Sequence, residues 1–529
     1  MSHARDASTS APEAWWNDET LRDWIERNER ERPQHTALLG TDSSLSYFEL
    51  NTRVRALAQV LRSLGLRRGD VIAAQLPNIP EFVLTYLAAS YVGAVLQTLH
   101  MPYRGAEVEP LLRYSGARAF VCVTAAKDYR PAEFALSVRK RYPHLQHVIA
   151  VGDDPPAGTL AFSSTNTEGA NDFERARATD TFLLLFTSGT MAAPKGVPVP
   201  YRKFLANARL SAPELAIDRT SLLLSAAPFT HLYGLFSINL ALAAGAATAL
   251  LPAFTPAGFA AALDQLRPTG AFVGPAHLTA CHHEGLLSPE RLSSLRFVMI
   301  SGSVCPPELA RLVQDRMPNG KVLQLWGMSE LQAGSFTRPS DELSVRATTA
   351  GRASPGTELR VAEADEPLPP GQEGELQVRG CSVFSGYLGN DAATAAAFTS
   401  DGWFRTGDLA RLDRNGNVQF TGRLKELINR GGIKFNPVDV EIVIDRHPAV
   451  AQCAIVPMPD AVLGERACCF TVLKQGAQLE LADVCQWLAQ HDVAKIKWPE
   501  RLELIAEMPM TPTRKVKKSE LTAQLIAAG

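Results

Sequence analysis

Helical and strand-like hydrophobic patterns alternate along the first part of the chain. The segment YFELNTRVRALAQVLRSLGL has apolar residues three and four positions apart, which predicts an amphipathic helix. RRGDVIAAQL then predicts a turn and a buried strand, and EFVLTYLAASYVGAVLQTL predicts another helix and strand. This alternation favours an α/β fold with parallel sheets flanked by helices.

Two later strands end in small residues. RFVMISGS and GKVLQLWG are short, mostly apolar runs that finish at serine and at glycine. Ligands of α/β proteins usually bind beyond the carboxyl ends of parallel strands. We therefore expect the ends of these two strands to contribute to a ligand site.

The hydrophobic pattern changes from about Val378 onwards, where the predicted strands become shorter. DGWFRTGDLARLDRNGNVQFTGR predicts hairpins around Asp413–Gly416. Beyond them, the helical segments VDVEIVIDRHPAV and LADVCQWLAQ are separated by strands such as VAQCAIVPM, which predicts an α+β unit. We place a boundary at Gly422–Lys425, which gives domains 1–422 and 426–529.

One long stretch lacks charge. Between Arg219 and Asp264 there is no Asp, Glu, Lys or Arg, which raises the possibility of a membrane span. The stretch is interrupted by residues that break regular structure: Pro228, Gly234, Gly245, Pro252 and Pro256. We therefore favour buried strands and helices of an α/β core over a span.

Size, charge and cysteine content narrow the class of protein. A chain of 529 residues is too long for a single hydrophobic core. The 53 Lys and Arg residues nearly balance the 55 Asp and Glu residues, so the composition indicates no general attraction to nucleic acid or to an acidic membrane surface. The eight cysteines form no CxxC pair, and a reducing cytoplasm is the expected location.

The segment FTSGTMAAPKGV, Phe186–Val197, carries the first candidate chemistry. Lys195 adds a positive charge to a run of hydroxyls and unhindered backbone amides, a combination that can bind phosphate. The P-loop pattern is absent, because Pro194 precedes the lysine and Gly196 follows it. The alternative is a flexible surface loop. The candidate phosphate-binding groups before the lysine are Thr187, Ser188, Gly189 and Thr190.

The same segment resembles the signature of the adenylate-forming superfamily, roughly (S/T)SGT-x-x-x-PKG, with Met191 and Ala192 in place of the usual threonine and glycine. Other segments resemble further motifs of that superfamily, in the same order: APFTHLYG, LQLWGMSE, DGWFRTGDLA, GRLKELINRGGIKFNPVDVE and MPMTPTRKVKK. On these motifs the chain is identified as a member of the AMP-dependent acyl-CoA synthetase and ligase family. The resemblance implies a large α/β N-terminal domain of several subdomains with a small β-barrel, and a small mobile α+β C-terminal domain.

The resemblance also implies a nucleotide site. The Thr187–Lys195 loop would hold the β- and γ-phosphates of ATP. Glu330 and the Thr187 hydroxyl would hold Mg²⁺, an ion that prefers oxygen ligands and phosphate. Asp408 and Arg423 would fix the ribose. Trp326, with Gly302 and Ser303, would form the adenine slot, and Gln324 would lie beside it. The other cofactor-binding residues of the LQLWGMSE motif would be Gly327, Met328 and Ser329.

Three further positions receive catalytic roles from the resemblance. Lys515 would bridge the substrate carboxylate and the α-phosphate, where two anions must meet. His231 would lie at the acyl pocket, and Lys425 would be the hinge of the small domain. Gly431 and Gly432 would give the pantetheine arm of coenzyme A an uncluttered path.

Taken singly, several of these residues also have an ordinary structural interpretation. His231 would be a core or surface histidine, Trp326 a core residue and Lys425 an exposed helix lysine. The two glycines after Arg430 would form a turn. Lys517 and Lys518, next to the predicted catalytic lysine, are expected to be solvated charges.

The implied reaction uses ATP, Mg²⁺ and coenzyme A: a carboxylic acid is converted to acyl-AMP and pyrophosphate, and then to an acyl-CoA thioester with release of AMP. Three alternatives stay open. One is an acyl-AMP ligase that loads a carrier protein, another is a luciferase-like oxygenase, and the third is a non-enzymatic sensor of acyl groups or nucleotides.

The acid itself is predicted from the expected pocket walls. These walls contain no arginine or lysine that could pair with a second carboxylate, so we expect a monocarboxylic acid with an apolar body: aromatic, alicyclic or medium-chain. The segment GRLKELI resembles plant-type hydroxycinnamate ligases and adds slight support for an aromatic acid. The expected walls are His231–Phe236, Val273–His277, Ser301–Val304 and Gly327–Gly334.

Overall fold

The structure is a computed structural model that describes residues 12–165, 174–187, 195–430, 433–460, 462–511 and 515–528. The helices are α1 Leu21–Glu31, α2 Tyr47–Ser63, α3 Pro80–Val92, α4 Gly105–Ser115, α5 Pro131–Arg141, α6 Tyr201–Glu214, α7 Leu232–Ala244, α8 Pro256–Leu266, α9 Pro275–His283, α10 Pro289–Leu292, α11 Pro307–Asp315, α12 Leu343–Thr348, α13 Asp391–Ala397, α14 Pro437–Ile444, α15 Leu481–Gln490 and α16 Lys518–Ala528.

The strands are β1 Thr36–Leu39, β2 Ser44–Ser46, β3 Val71–Gln75, β4 Val95–Thr98, β5 Ala117–Val123, β6 His147–Val151, β7 Leu160–Ala161, β8 Thr181–Thr187, β9 Lys195–Pro200, β10 Leu222–Ser225, β11 Ala247–Ala249, β12 Gly270–Val273, β13 Phe297–Ile300, β14 Lys321–Met328, β15 Gln332–Phe336, β16 Arg352–Ala353, β17 Thr357–Glu363, β18 Glu366–Pro367, β19 Glu373–Gly380, β20 Phe404–Leu412, β21 Val418–Arg423, β22 Ile428–Arg430, β23 Ile433–Phe435, β24 Val450–Asp460, β25 Gly464–Leu473 and β26 Arg501–Leu504.

Two largely parallel sheets form the first part of the fold. One has seven strands in the order β7-β6-β5-β3-β4-β8-β9, and the other has nine in the order β16-β15-β14-β13-β12-β10-β11-β1-β2. In the first sheet only the edge strand β9 runs antiparallel to its neighbour. The helix and strand alternation of the sequence therefore builds the predicted α/β architecture.

Two buried helices join these sheets. α3 packs on β3 and β4 of the first sheet, whereas α7 packs on β10 and β11 of the second. The hydroxyl of Tyr86 in α3 donates a 2.6 Å hydrogen bond to the side-chain oxygen of Asn239 in α7. Because both helices are buried nearly all round, their sequences show no polar face.

The uncharged stretch between Arg219 and Asp264 forms β10, α7, β11 and most of α8, as the preference for an α/β core predicted. α7 ends at Gly245, whose left-handed conformation (φ 66°) suits a residue without a side chain. Among the described residues, no helix combines the length and the hydrophobicity that crossing a bilayer requires.

The contacts divide the chain into two compact units. The first unit comprises Met1–Ala347, Gly351–Glu358 and Arg379–Phe404; the second comprises Thr348–Ala350, Leu359–Val378 and Arg405–Gly529. The first two sheets lie in the first unit. A five-stranded sheet, in the order β18-β17-β19-β20-β21, spans residues 357–423. Its strand β20 has nine residues and is longer than β3 and β4, so the expected shortening of the strands from Val378 onwards is wrong. The last two strands of this sheet form the predicted hairpin around Asp413–Gly416.

The last sheet has the order β23-β22-β25-β24, with β26 paired to β25. Successive residues of β24 face opposite sides, because side chains alternate along a strand. Cys453 and Ile455 belong to a core cluster with residues of α14 and α15, whereas Ala454 and Val456 pack with α16. The predicted α+β unit is thus confirmed, with helices on both faces of its sheet.

Candidate active site

The two strand ends singled out by their small residues are neighbours. Parallel pairing places Ile300 of β13 opposite Gln324 of β14, so Gly302 and Ser303 follow directly at that edge of the sheet. Gly302 has φ 97° and open space around its α-carbon, and Ser303 is exposed. The structure therefore brings together the two segments predicted to form the adenine side.

Trp326 is packed rather than presented as an open surface. Only 8% of the residue is exposed. Its ring lies against Gly334 of β15, where an added β-carbon would come within 2.3 Å of a ring carbon. Gly327 is held as closely, since a β-carbon there would meet the carbonyl oxygen of Gln332 at 1.9 Å. This packing agrees with the interpretation of Trp326 as a core residue. The role of Trp326 in binding adenine stays a prediction.

Three other residues of the predicted adenine side are also placed. Gln324 donates through its side-chain nitrogen to the carbonyl oxygen of Arg346 at 3.0 Å. Met328 ends β14 and is partly buried. Ser329 follows it, and the backbone then turns through Glu330 into β15.

Glu330 is the buried carboxylate of this region, with 5% exposure. Its Oε1 accepts a hydrogen bond from the Tyr387 hydroxyl at 3.1 Å, and its carbonyl oxygen accepts one from the amide of Phe384 at 2.7 Å. Burial, followed by the charge of Glu330, raises the pKa of Tyr387 well above its ordinary value. Tyr387 is therefore a neutral donor at physiological pH.

The lysine that follows the predicted phosphate loop contacts Tyr387, the partner of this carboxylate. Antiparallel pairing puts Thr187 opposite Lys195. The Lys195 ammonium lies over the ring of Tyr387, with Nζ 5.0 Å from the ring centroid. The intervening Ser188, Gly189 and Thr190, and the side chain of Thr187, lie outside the described residues.

Sequence reasoning missed Tyr387. It follows Gly386 in the segment SVFSGYLGN, 57 residues after Glu330. The serines, glycines and asparagine of this segment are a common turn composition, so the sequence indicated only a tyrosine in a loop.

A cavity lies in the same unit, beside His231. It joins the start of the phosphate loop, the histidine of APFTHLYG and the serine of LQLWGMSE. The residues that line it are Thr98, His100, Tyr103, Leu111, Leu185, Phe186, Thr230, His231, Leu232 and Ser329. The cavity therefore connects three motifs that are far apart in the sequence.

His231 is held at the amino end of α7. Its Nδ1 accepts a hydrogen bond from the amide of Tyr233 at 3.2 Å. The Tyr233 hydroxyl in turn donates to the carbonyl oxygen of Met299 at 2.8 Å, which ties the helix start to β13. His231 thus lines a cavity, and its role at an acyl pocket stays a prediction.

A second histidine, His100, stacks on the first with ring centroids 6.1 Å apart. Its Nδ1 lies 3.0 Å from the hydroxyl oxygen of Thr230. Burial lowers its pKa from 6.5 to about 4, so the ring is neutral at physiological pH. The cavity therefore presents a neutral imidazole.

Only three cavity residues, His231, Leu232 and Ser329, belong to the predicted walls. The segment from Thr98 to Leu111 was missed, although it follows the buried strand β4. Its position after a parallel strand was the available signal, since such strand ends commonly carry binding residues.

In the second unit, Asp408 and Arg423 lie opposite each other on the β20–β21 hairpin. The Arg423 Nε donates to the Asp408 carboxylate at 3.1 Å, and Asp408 is 6% exposed. The two residues predicted to fix the ribose are therefore adjacent, and their role stays a prediction.

Lys515, in the second unit, is hydrogen-bonded to Thr511. Its amide donates to the Thr511 hydroxyl at 2.9 Å, and its carbonyl oxygen accepts from the Thr511 amide at 2.7 Å. Lys425 is exposed in the short 3₁₀ helix Leu424–Glu426. Gly431 and Gly432 lie outside the described residues.

The expectation that Lys518 is a solvated charge is wrong. Its side chain is 18% exposed, and its Nζ lies 2.7 Å from the Glu441 carboxylate. Lys518 begins α16, whose Leu521 and Leu525 pack into the core, and this packing holds the lysine beside Glu441 of α14. Lys517, by contrast, is exposed.

Comparison with known proteins identifies the family. The model described as "AMP-binding enzyme" matches residues 25–388, and "AMP-binding enzyme C-terminal domain" matches residues 439–515. The chain belongs to the AMP-binding enzyme family, the adenylate-forming superfamily that its motifs resemble. It is a ligase of the ATP-dependent, adenylate-forming type.

The chain is similar to relatives of two kinds. A medium-chain fatty-acid–CoA ligase of Escherichia coli is 33% identical over 95% of this chain and 90% of its own length. A salicyl-AMP ligase/salicyl-S-ArCP synthetase of Mycobacterium tuberculosis is 32% identical over 97% of this chain and 92% of its own. ATP-bound MatB of Rhodopseudomonas palustris has a similar structure, with a TM-score of 0.86 at 26% identity over 96% of this chain and 99% of that one.

Proposed function

We propose that this chain is an ATP- and coenzyme A-dependent acyl-CoA ligase. It first joins a carboxylic acid to AMP with loss of pyrophosphate, and then transfers the acyl group to the thiol of coenzyme A with release of AMP. The observation that carries the proposal is the cavity that joins Phe186, His231 and Ser329. An acid bound there lies next to the start of the phosphate loop and the end of the adenine segment.

The chemistry requires that two anions meet. A carboxylate attacks the α-phosphorus of ATP, so positive charge and exact positioning must stabilise the transition state. We assign this task to Lys195 on the β- and γ-phosphates and to Lys515 at the acyl carboxylate and α-phosphate. The carboxylate of Asp408, with Arg423, would bind the ribose hydroxyls.

The residues around Glu330 fit a magnesium ion that is bound together with ATP. Within the described ranges, no three His, Cys, Asp or Glu side chains form a group able to hold a metal on their own. A single buried carboxylate suits Mg²⁺, because this ion takes most of its ligands from water and substrate phosphates. Glu330 and the Thr187 hydroxyl would hold it, and it would neutralise phosphate charge.

For the second half-reaction we propose a mobile domain of residues 426–529 after a larger domain of 1–422. Lys425 would be the residue at which the small domain turns, and its exposure is compatible with a change of backbone angles. Gly431 and Gly432 would face coenzyme A. The family relatives named as CoA ligases support this step.

The acid is proposed to be a monocarboxylic acid with an apolar body. Among the described residues that line the cavity, none is Asp, Glu, Lys or Arg. Its polar groups are hydroxyls and imidazoles, and His100 is neutral at physiological pH. A second carboxylate would therefore find no cation in this cavity, whereas an aromatic, alicyclic or medium-chain body would pack against Leu111, Leu185 and Phe186.

The second candidate is an acyl-AMP ligase that loads a carrier protein. The similarity to a salicyl-AMP ligase/salicyl-S-ArCP synthetase, which extends over nearly the whole chain, favours it specifically. Both candidates share the adenylation step and differ only in the thiol that accepts the acyl group.

One experiment tests both steps. Purified protein is incubated with ATP, Mg²⁺ and a panel of aromatic, alicyclic, medium-chain and dicarboxylic acids, and acid-dependent exchange of labelled pyrophosphate into ATP is measured. We expect exchange with apolar monocarboxylic acids. Coenzyme A or a phosphopantetheinylated carrier protein is then added, and thioester is quantified by mass spectrometry. Exchange with dicarboxylic acids alone would refute the proposed substrate class, and thioester only on the carrier would favour the second candidate.

A further inference from the structure

Tyr387 contacts the residue that the proposed function assigns to Mg²⁺ and the residue that it assigns to the triphosphate. Its hydroxyl donates to the Glu330 carboxylate at 3.1 Å, and its ring face lies 5.0 Å from the Lys195 ammonium. One side chain therefore touches both the proposed metal ligand and the proposed phosphate ligand.

The surroundings fix the position of Tyr387. Its amide donates to the Thr394 hydroxyl at 2.9 Å, and its ring meets that of Phe384 edge-on with centroids 4.8 Å apart. The amide of Phe384 bonds in turn to the carbonyl oxygen of Glu330. The tyrosine is thus held independently of the two charged groups that it contacts.

A buried lysine anchors the same segment from the other side. Lys203 is 9% exposed, and its Nζ donates to the carbonyl oxygen of Val383 at 2.7 Å and to the hydroxyl of Ser385 at 2.9 Å. Because these two residues precede Tyr387, the anchor limits movement of the loop that carries it.

We propose that Tyr387 is a positioning residue that orients Glu330 for magnesium and Lys195 for the triphosphate. A hydrogen bond to Oε1 restrains the plane of the carboxylate that would bind the ion. The electron-rich ring face restrains the flexible lysine by a cation–π contact. This inference rests on the proposed function. It assigns a role to Tyr387, which the proposed function leaves without one.

The hydroxyl and the ring can be tested separately. Y387F removes only the hydroxyl, and Y387L removes the ring as well. ATP binding is measured by calorimetry without acid substrate, in EDTA and in MgCl₂, so that no turnover occurs. For Y387F we expect unchanged affinity in EDTA and about a tenfold smaller gain on adding Mg²⁺, the size of effect seen when a partner of a metal ligand is lost. For Y387L we expect, in addition, about threefold weaker binding in EDTA.

Two controls make the result specific. Tyr114→Phe removes a hydroxyl that bonds to the carbonyl oxygen of the neighbouring Leu388, and it should leave both affinities unchanged. In a Glu330→Gln background, Y387F should no longer alter the Mg²⁺ effect, because the carboxylate that it orients is gone. Circular dichroism and melting temperature verify that each variant is folded.

Two outcomes would overturn the inference. If Y387F binds Mg·ATP as tightly as the unmodified protein or more tightly, the hydroxyl does not orient the metal ligand. If Y387L matches Y387F in EDTA, the ring does not position the lysine. Failure of the unmodified protein to bind ATP at all would instead contradict the proposed function, so the two failures are distinguishable.

Discussion

The region around Glu330, proposed to be the nucleotide side, and the cavity around His100, proposed to be the acyl cavity, differ in their charged groups, although both lie in the first unit. At the nucleotide side, the buried carboxylate of Glu330 accepts a hydrogen bond from Tyr387, and the ammonium of Lys195 lies over the ring of the same tyrosine. In the acyl cavity, burial lowers the pKa of His100 to about 4, and the described lining carries no charged side chain.

The difference supports the proposal that one unit binds two chemically unlike partners. Polyanionic phosphates need charge that is positioned in advance, because reorientation in the transition state is costly. An apolar acid needs the reverse, since a charge without a partner would be buried with it. We therefore expect that removing a charge on the nucleotide side strongly lowers activity. We expect the same of adding a charge in the cavity.

The largest expected effect is that of Glu330→Gln. It keeps the shape of the side chain but removes the charge proposed to hold Mg²⁺, so the rate of acyl-AMP formation should fall about a thousandfold, given that a bound metal contributes several kcal/mol. Pyrophosphate exchange at varied Mg²⁺ measures it. Glu284→Gln, at an exposed glutamate, is the matched control. A loss below tenfold would place the metal elsewhere.

Lys515→Ala tests whether charge outside the first unit serves the same step. We expect acyl-AMP formation to slow about a hundredfold, because one positioned charge on developing anions is lost. Thioester formation from supplied acyl-AMP should stay nearly normal. Rapid-quench assays of the two half-reactions measure this.

The neighbouring Lys518 supplies the control, because it forms an ion pair with Glu441 inside the small unit. Lys518→Met should lower the melting temperature and slow both half-reactions equally. Equal loss of both half-reactions in Lys515→Ala, at an unchanged melting temperature, would mean that the lysine has no role specific to adenylation.

His100→Asp introduces a charge into the neutral cavity. The new carboxylate would repel the carboxylate of the substrate, and about 2 kcal/mol of repulsion and desolvation would lower kcat/KM for an apolar acid about thirtyfold. His100→Phe keeps a flat ring without charge and should stay within about threefold. The values of kcat/KM for both variants, measured by steady-state kinetics, test this expectation. Similar losses in the two would show that imidazole hydrogen bonding, rather than neutrality, matters at this position.

The sequence predicted what depends on local pattern and missed what depends on distant contacts. The helix and strand alternation, the small residues after β13 and the adjacent Asp408 and Arg423 could be anticipated from periodicity and motifs. Tyr387 could not, because its partner Glu330 lies 57 residues away and the contact depends on how an irregular loop returns to the sheet. His100 was missed for the same reason, since the Thr230 that it contacts is 130 residues distant.

The smallest expected effect concerns pH and stability. His100 has an ordinary pKa of 6.5 and a folded-state pKa of about 4, so between these values the unfolded chain binds a proton that the folded chain does not. The stabilising contribution is complete above pH 6.5 and is lost as the pH falls towards 4. Melting temperatures at pH 7.5 and pH 5 should show a decrease that His100→Phe reduces by about 3 °C. His283→Phe, at an exposed histidine, should leave the decrease unchanged. If His100→Phe also leaves the decrease in melting temperature unchanged, burial does not keep the His100 ring neutral. The difference in charge between the cavity and the nucleotide side would then have to come from the other residues that line the cavity.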